Sequence, residues 1–145
     1  MKTVQMILIP CAMATLLLLG AQATGADEEI HKLVIQVSTD DESTQQMAMS
    51  NAINVQKELG QDNVIIEIVA YGPGLSMLTA GSPASIRVPN LAMQDIIFSA
   101  CGNTMDSIEK KSGKKVQLVE GVSVVQAGVV RIMQLQEQGY AYLRP

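Results

Sequence analysis

The chain has 145 residues, with 10 basic and 14 acidic side chains, a formal net charge of −4, one histidine and two cysteines. A negative chain without an extended basic cluster is a poor match for nucleic acid, so we expect no nucleic-acid partner. One histidine with two cysteines and scattered carboxylates does not form a tetrahedral metal set, and one phenylalanine with no tryptophan does not suit a flavin. We therefore expect neither a metal nor a cofactor.

Residues 1–26 have the composition of a secretory signal peptide. Lys2 is their only charged residue, the apolar centre includes Leu16–Gly20, and small residues follow up to Ala26. About 20 uncharged residues are also long enough for an uncleaved membrane anchor. Pro10 and the small-residue end favour cleavage over that alternative. Cleavage predicts a periplasmic or secreted protein that has no membrane contact afterwards.

Removal of 26 of the 145 residues leaves 119, which form one predicted domain, 27–145, large enough for its own core. Without Lys2, 9 of the 10 basic residues remain against 14 acidic ones, a net charge of −5. Cys101 then becomes the only cysteine. In an oxidising compartment, an unpaired cysteine is a buried inert residue, an intermolecular link or a thiol kept for reaction.

Strand and helix patterns alternate along the predicted domain. Apolar runs predict four strands and a short fifth one at a sheet edge: Lys32–Ser38, Asn63–Gly72, Asp95–Ala100, Val116–Val119 and residues 141–144. Helical spacing and stop signals predict a helix from a capping box at Ser43 to Gly60, then Leu75–Thr79, Ala84–Met93, Asn103–Lys111 and Ser123–Gln138. This alternation predicts an α/β fold with a mostly parallel sheet of five strands and helices on both faces.

Ligands and reactive groups of parallel sheets gather at the carboxyl ends of the strands. The predicted loops at that edge supply the candidate binding residues Asp40, Tyr71, Gly72, Gly74, Gly102, Asn103 and Gly121, and the candidate catalytic residue Cys101. Asp40 and Asp41 fit either a carboxylate pair or a solvated turn before a helix. Tyr71 fits either a pocket wall or a half-buried strand end. His31 lies at the start of the first strand, which is the wrong end for a base beside Cys101.

Cys101 is predicted at a turn from a strand into a helix. The first N–H groups of a helix have no internal partners and carry partial positive charge, which stabilises a thiolate. Gly102 permits a tight turn, and Asn103 or Thr104 can cap the helix. Burial among the apolar residues at 97–100 would instead raise the thiol pKa and leave an inert packing residue. Position alone leaves both readings open, and any nearby cation, for which Arg87 and Lys32 are candidates, would have to come from the fold.

Residues from Leu33 to Leu143 resemble the DsrE/DsrF-like family of small sulfur-relay proteins. The matching segments are Ser38–Asp40, Asn51–Gly60, Ile66–Leu78, Phe98–Met105 and Val119–Pro145. The resemblance implies a flavodoxin-like, doubly wound fold and a homo-oligomer, a trimer or a hexamer. It also implies that a strand-end cysteine, here Cys101, carries sulfur as a persulfide between donor and acceptor proteins. The predicted export is a departure, because sulfur-relay members work in the cytoplasm.

Three functions follow from these observations. The first is a sulfur carrier or sulfurtransferase-like protein that uses Cys101. The second is an oligomeric module that binds a small ligand or a partner near Tyr71–Gly74 without turnover. The third is a redox-sensing thiol that forms an intermolecular disulfide. A sulfane sulfur on Cys101 would separate the first from the other two.

Overall fold

A computed structural model describes residues 30–145; the predicted signal segment 1–26 and Cys11 lie outside the described residues. Five strands form one sheet: β1 His31–Val37, β2 Val64–Ala70, β3 Ile96–Cys101, β4 Val122–Val125 and β5 Ala141–Leu143. Their order is β4-β3-β2-β1-β5, and every neighbouring pair is parallel. The predicted parallel sheet of five strands is therefore confirmed.

The connections between the strands place helices on both faces of this sheet. The helices are α1 Glu42–Leu59, α2 Val88–Ala92, α3 Gly102–Ser112 and α4 Gly128–Glu137, with 3-10 segments at Gln61–Asn63, Gly72–Leu78 and Ala84–Arg87. Right-handed crossovers from β1 to β4 all step the same way, which puts α1, α2 and α3 on one face. The return from β4 to β5 steps the opposite way, so α4 lies on the other face.

Each face has its own apolar core because alternate strand residues point to opposite sides. The larger core lies under α1 and α2 and includes Ile35, Ile66, Ile68, Phe98 and Met49. The smaller core contains only Val34 and Val69 of the strands with Ile132 and Leu135 of α4. The alternation also places Glu67, Ser99 and Cys101 on the α4 face. The reactive residue predicted from the sequence thus lies on the more thinly covered side of the sheet.

The apolar surface on the α4 face continues into solvent. Ile65 is 36% exposed and Ile97 is 40% exposed, although both belong to the inner strands β2 and β3. On α4 itself, Val129, Val130 and Met133 are half exposed. A single helix of ten residues therefore leaves part of this face uncovered.

The fourth strand and the last helix differ from the sequence-based prediction. Val116–Val119 is an extended segment, and the Val119 N–H donates to the Leu78 carbonyl at 3.0 Å. The fourth strand is β4, whose Val122 pairs with Phe98. Val116–Val119 and Val122–Val125 are both largely apolar, and only the second pairs with β3. The last helix consequently begins at Gly128 and not at Ser123.

Two helix starts also differ from the prediction. The N-cap of α1 is Asp41, whose carboxylate accepts from the Thr44 N–H at 2.7 Å, so the capping box at Ser43 is wrong. The Thr44 hydroxyl, and after it the Thr44 N–H, lower the pKa of Asp41 by hydrogen bonding, which fits the solvated turn. α3 begins at Gly102 with Cys101 as its N-cap, so neither Asn103 nor Thr104 caps it. No helix within residues 30–145 has the length and apolarity needed to cross a membrane.

Candidate functional site

Cys101 ends β3 and immediately precedes α3. Its backbone is extended, with φ −75° and ψ 114°, as expected for an N-cap residue. The residue is only 5% exposed, and its side chain points toward the first turn of α4. The thiol is therefore held at the carboxyl edge of the sheet, beneath a helix that is distant in sequence.

Two helix N-termini meet at this sulfur. α3 starts at the next residue, and the N–H of Gly128, the first residue of α4, donates to Cys101 Sγ at 3.3 Å. A β-carbon at Gly128 would lie 3.1 Å from Tyr71 Cβ and 3.3 Å from Cys101 Cβ. Glycine at 128 thus allows the helix to approach closely enough for its N–H to reach the sulfur. Both helix starts place partial positive charge near the thiol.

These donors decide the direction of the thiol pKa. Burial has the largest single effect and raises the pKa of Cys101. Hydrogen bonds from the Thr104 hydroxyl, the Gly128 N–H and the N–H groups of Thr104 and Asn103 together outweigh burial, and the pKa falls below its ordinary value. The hydroxyl of Thr104 makes the largest of these contributions. The thiolate is favoured even though the sulfur is almost enclosed.

Thr104 connects the thiol to the loop after β2. Its Oγ1 accepts from the Gly72 N–H at 3.0 Å, which leaves the hydroxyl proton available to the sulfur of Cys101. Gly72 has φ +54°, a left-handed conformation that suits glycine. Gly72 therefore acts on the sulfur through Thr104.

Neither cation suggested by the sequence reaches the sulfur. The Arg87 guanidinium donates to Gln46, and the Lys32 ammonium donates to the Gln138 carbonyl at 3.2 Å. Arg131 of α4 also lies on the same face as Cys101, and it is bound to buried Glu67 at 2.7 Å. Glu67 raises the pKa of Arg131 by hydrogen bonding, so the guanidinium stays charged.

A groove of about 440 Å³ lies beside Thr104. Its walls come from the loop after β2 and from α3: Gly72, Pro73, Asn103, Thr104, Ser107, Ile108 and Lys111. A larger groove of about 770 Å³ shares Gly72, Pro73 and Ile108 and extends to Lys114 and Lys115. A small anion would meet the Lys111 ammonium group in the groove that Thr104 lines, and those of Lys114 and Lys115 in the larger groove.

Five of the residues predicted from the sequence come together. Cys101, Gly102 and Asn103 form the start of α3, while Tyr71 packs beside Gly128 and Gly72 binds Thr104. Asn103 also pairs with the loop before α4, through its N–H to the Gln126 carbonyl at 3.1 Å. These five residues of the predicted carboxyl-edge cluster therefore lie close together in the structure.

The other three predicted residues lie elsewhere. Asp40 is exposed after β1, and β2 separates it from β3, which corresponds to roughly 10 Å between strands. Gly74 is buried against β1, where an added β-carbon would lie 2.3 Å from the Val37 carbonyl oxygen, so it serves packing. Gly121 precedes β4 and lies at the amino end of the sheet, because the fourth strand is later than predicted.

Sequence reasoning missed the residues that reach the thiol from a distance. The predicted helix Ser123–Gln138 puts Gly128 in its interior, where the N–H would bond within the helix. The sequence predicts Thr104 as a possible helix cap and not as a donor to sulfur. Glu67 and Arg131 carried one available signal, since a lone carboxylate in the apolar run at 64–70 implies a buried partner.

The chain is similar to proteins of known structure. No family model matches the chain, and no curated protein sequence matches it. The protein MTH1491 from Methanobacterium thermoautotrophicum, described as of unknown function, has a similar structure with a TM-score of 0.71. It is 36% identical, and the match covers 79% of this chain and 99% of MTH1491.

The YchN protein from E. coli has the same fold. Its TM-score is 0.64 at 14% identity, over 79% of this chain and 99% of YchN, so this likeness concerns the fold alone. Both neighbours are DsrE/DsrF-like fold proteins, which confirms the flavodoxin-like architecture. With 36% identity to MTH1491 over nearly all of that protein, the chain belongs to the DsrE/DsrF-like family.

Proposed function

We propose that this protein is a sulfur carrier or sulfurtransferase-like protein in which Cys101 holds sulfane sulfur as a persulfide. The observation that carries the proposal is the convergence of donors on Cys101 Sγ, which lowers the pKa of a thiol that burial alone would raise. A thiolate is the nucleophilic form of cysteine. Membership of a family that includes sulfur-relay proteins supports the same chemistry.

The proposed loading step balances with thiosulfate as the donor. The Cys101 thiolate attacks the outer sulfur of thiosulfate, a sulfur–sulfur bond forms to Cys101, the original sulfur–sulfur bond breaks, and sulfite leaves with the electron pair. No external oxidant or reductant is needed, because the transferred sulfur keeps its oxidation state. In the unloading step, an acceptor thiolate attacks the outer sulfur and the Cys101 thiolate leaves.

The same hydrogen bonds assist the unloading step. Thiols of lower pKa leave faster in sulfur exchange. When the acceptor attacks, negative charge returns to Cys101 Sγ, where the Gly128 N–H and the Thr104 hydroxyl receive it. The groove that Thr104 lines also carries Lys111, a cation that suits an anionic donor such as thiosulfate.

The limited exposure of the sulfur bears on the two alternatives. A residue that is 5% exposed gives a second protein chain poor access for an intermolecular disulfide, which disfavours a redox-sensing role. A small sulfur donor needs less room. A binding module without turnover is supported by the groove of about 770 Å³, and it predicts no sulfur on Cys101.

Sulfur uptake is the direct test of this function. Exposure of the purified protein to thiosulfate or polysulfide should add the mass of one sulfur atom, and reductant should remove it. In the full-length chain, which contains both cysteines, Cys101→Ser should abolish the gain, whereas Cys11→Ser is the matched control and should retain it. Cyanide should release the added sulfur as thiocyanate. An unchanged mass with the wild-type protein would falsify the carrier function and leave the binding module.

The second prediction concerns Thr104 and pH. Alkylation requires the thiolate, so its rate should rise with pH around a midpoint below that of free cysteine, because the pKa of Cys101 is lowered. Thr104→Val removes the strongest donor to the sulfur and should raise that midpoint, slowing alkylation at neutral pH roughly tenfold. Thr104→Ser keeps the hydroxyl and should behave like the wild type. Equal profiles of alkylation rate against pH for Thr104→Val and Thr104→Ser would mean that the Thr104 hydroxyl does not stabilise the thiolate.

We also infer a homo-oligomer of three or six subunits that buries the exposed apolar residues of α4. Met133 is 55% exposed, and Val129 and Val130 lie beside it. Met133→Glu should lower the mass measured by light scattering at roughly tens of micromolar protein, a range where specific interfaces persist. Gln136→Glu adds the same charge on the same helix and should leave the measured mass unchanged. A wild-type monomer under these conditions contradicts the inference.

Export is the remaining part of the proposal. The charge pattern of residues 1–26 supports it: Lys2, an uncharged stretch, then small residues. Amino-terminal sequencing of the protein from its native host should begin near Thr24 or Asp27. Recovery of the full-length chain in the membrane fraction would instead identify an uncleaved anchor.

A further inference from the structure

A buried ion pair lies on the same face of the sheet as Cys101 and takes no part in the sulfur chemistry above. Glu67 of β2 is fully buried and accepts from the Ser99 hydroxyl at 2.6 Å. The Arg131 guanidinium grips both carboxylate oxygens, with Nε at 2.8 Å and Nη2 at 2.7 Å. Such a two-pronged contact fixes direction as well as distance. The pair therefore holds α4 in one orientation over β2 and β3.

The ion pair and the thiol contact lie one helical turn apart. The N–H of Arg131 bonds to the carbonyl of Ala127 at 3.0 Å, in the turn that contains Gly128. On the strand side, Ser99 and Cys101 are alternate residues of β3 and share a face. Fixing Arg131 to Glu67, which also accepts from Ser99 of β3, thus fixes the distance between the Gly128 N–H and Cys101 Sγ.

Few other contacts hold α4 in place. Ile132 and Leu135 are its only buried large side chains, and they pack on Val34 and Val69. Apolar packing tolerates sliding more readily than a bidentate ion pair, which has one favourable geometry. The polar pair is consequently the contact best able to set the position of the first turn.

We propose that Glu67 and Arg131 are positioning residues, which hold the first turn of α4 so that the Gly128 N–H reaches Cys101 Sγ. This proposal rests on the proposed function, because the positioned sulfur is the proposed carrier. Arg131 acts through the helix and not by its charge: none of the groups that shift the pKa of Cys101 is Arg131.

The test compares Arg131→Met with the wild type in the full-length protein. Iodoacetamide labelling is read at the Cys101 peptide by mass spectrometry, because Cys11 is a second thiol. A small displacement of the first turn takes the Gly128 N–H out of hydrogen-bond reach while α4 still covers the sulfur, so labelling at pH 7 should slow about two- to five-fold. Hydrogen exchange at the Gly128 amide should become faster. Arg131→Lys should recover part of both effects, since an ammonium can contact one carboxylate oxygen but not grip two.

A packing control separates positioning from general loosening. Ile132→Val trims the apolar contact of α4 but keeps the ion pair, so labelling and Gly128 exchange should match the wild type. If Ile132→Val slows labelling as much as Arg131→Met does, the proposal is overturned.

Arg131→Met leaves a buried carboxylate without its cation and can prevent folding. The double variant Glu67→Leu/Arg131→Met removes both charges, which proteins often tolerate, and should show the same slow labelling and fast Gly128 exchange. Wild-type values in either folded variant overturn the proposal. Because Gly128 exchange needs no sulfur donor, this result is independent of whether the wild-type protein takes up sulfur.

Discussion

The contact between the first turn of α4 and the end of β3 is the constraint on which the site depends. The Gly128 N–H lies 3.3 Å from Cys101 Sγ, and a side chain at 128 would crowd both Tyr71 and Cys101. Without α4, the sulfur would retain only the donors at the start of α3. The helix both encloses the thiol and supplies a donor, so burial and thiolate stabilisation arise from one contact.

Enclosure of the thiol and hydrogen bonding to it have opposite effects on the pKa of Cys101. Burial removes water from the thiolate and raises the pKa of Cys101, while several hydrogen bonds to the sulfur lower it. A single exposed helix N-terminus supplies about 0.3–1 kcal/mol, less than one pKa unit at 1.36 kcal/mol each. The N–H groups at the start of α3 therefore act together with the Thr104 hydroxyl and the Gly128 N–H. The hydroxyl also contacts the loop after β2, and the Gly128 N–H belongs to α4.

The arrangement follows from the topology of the sheet. Three successive crossovers place α1, α2 and α3 on one face, and within residues 30–145 the last connection supplies the only helix on the other. This helix must cross from the β4 edge to β5 beyond β1, and its start necessarily passes near the carboxyl ends of β3 and β4. Cys101 pairs with Val125, the last residue of β4, so the loop into α4 begins beside the thiol.

The sequence predicts the parts of this site that depend on local pattern. The apolar runs of β1, β2 and β3 are long and bounded by turn residues, so Cys101 is correctly placed at a strand end before a helix. The β4 and α4 boundary is not predicted, because residues 122–130 are rich in valine and fit either element. Pairing with β3 decides between them, and that contact is long-range. The misplaced strand explains both the missed donor at 128 and the wrong location of Gly121.

The sign of the thiol pKa shift is a second property that local pattern does not determine. The apolar neighbours of Cys101 in the sequence point to the opposite face at Phe98 and Ala100, so they do not surround the sulfur. The groups that do surround it come from the loop after β2, from α3 and from α4. Strand alternation would have shown that Phe98 faces away, but it could not show which helix covers the other side. Likeness of fold to MTH1491 and YchN likewise does not define the chemistry, since one fold supports many functions. The proposed sulfur chemistry therefore depends on the donors that meet at Cys101, and on the ion pair that keeps one of them in place.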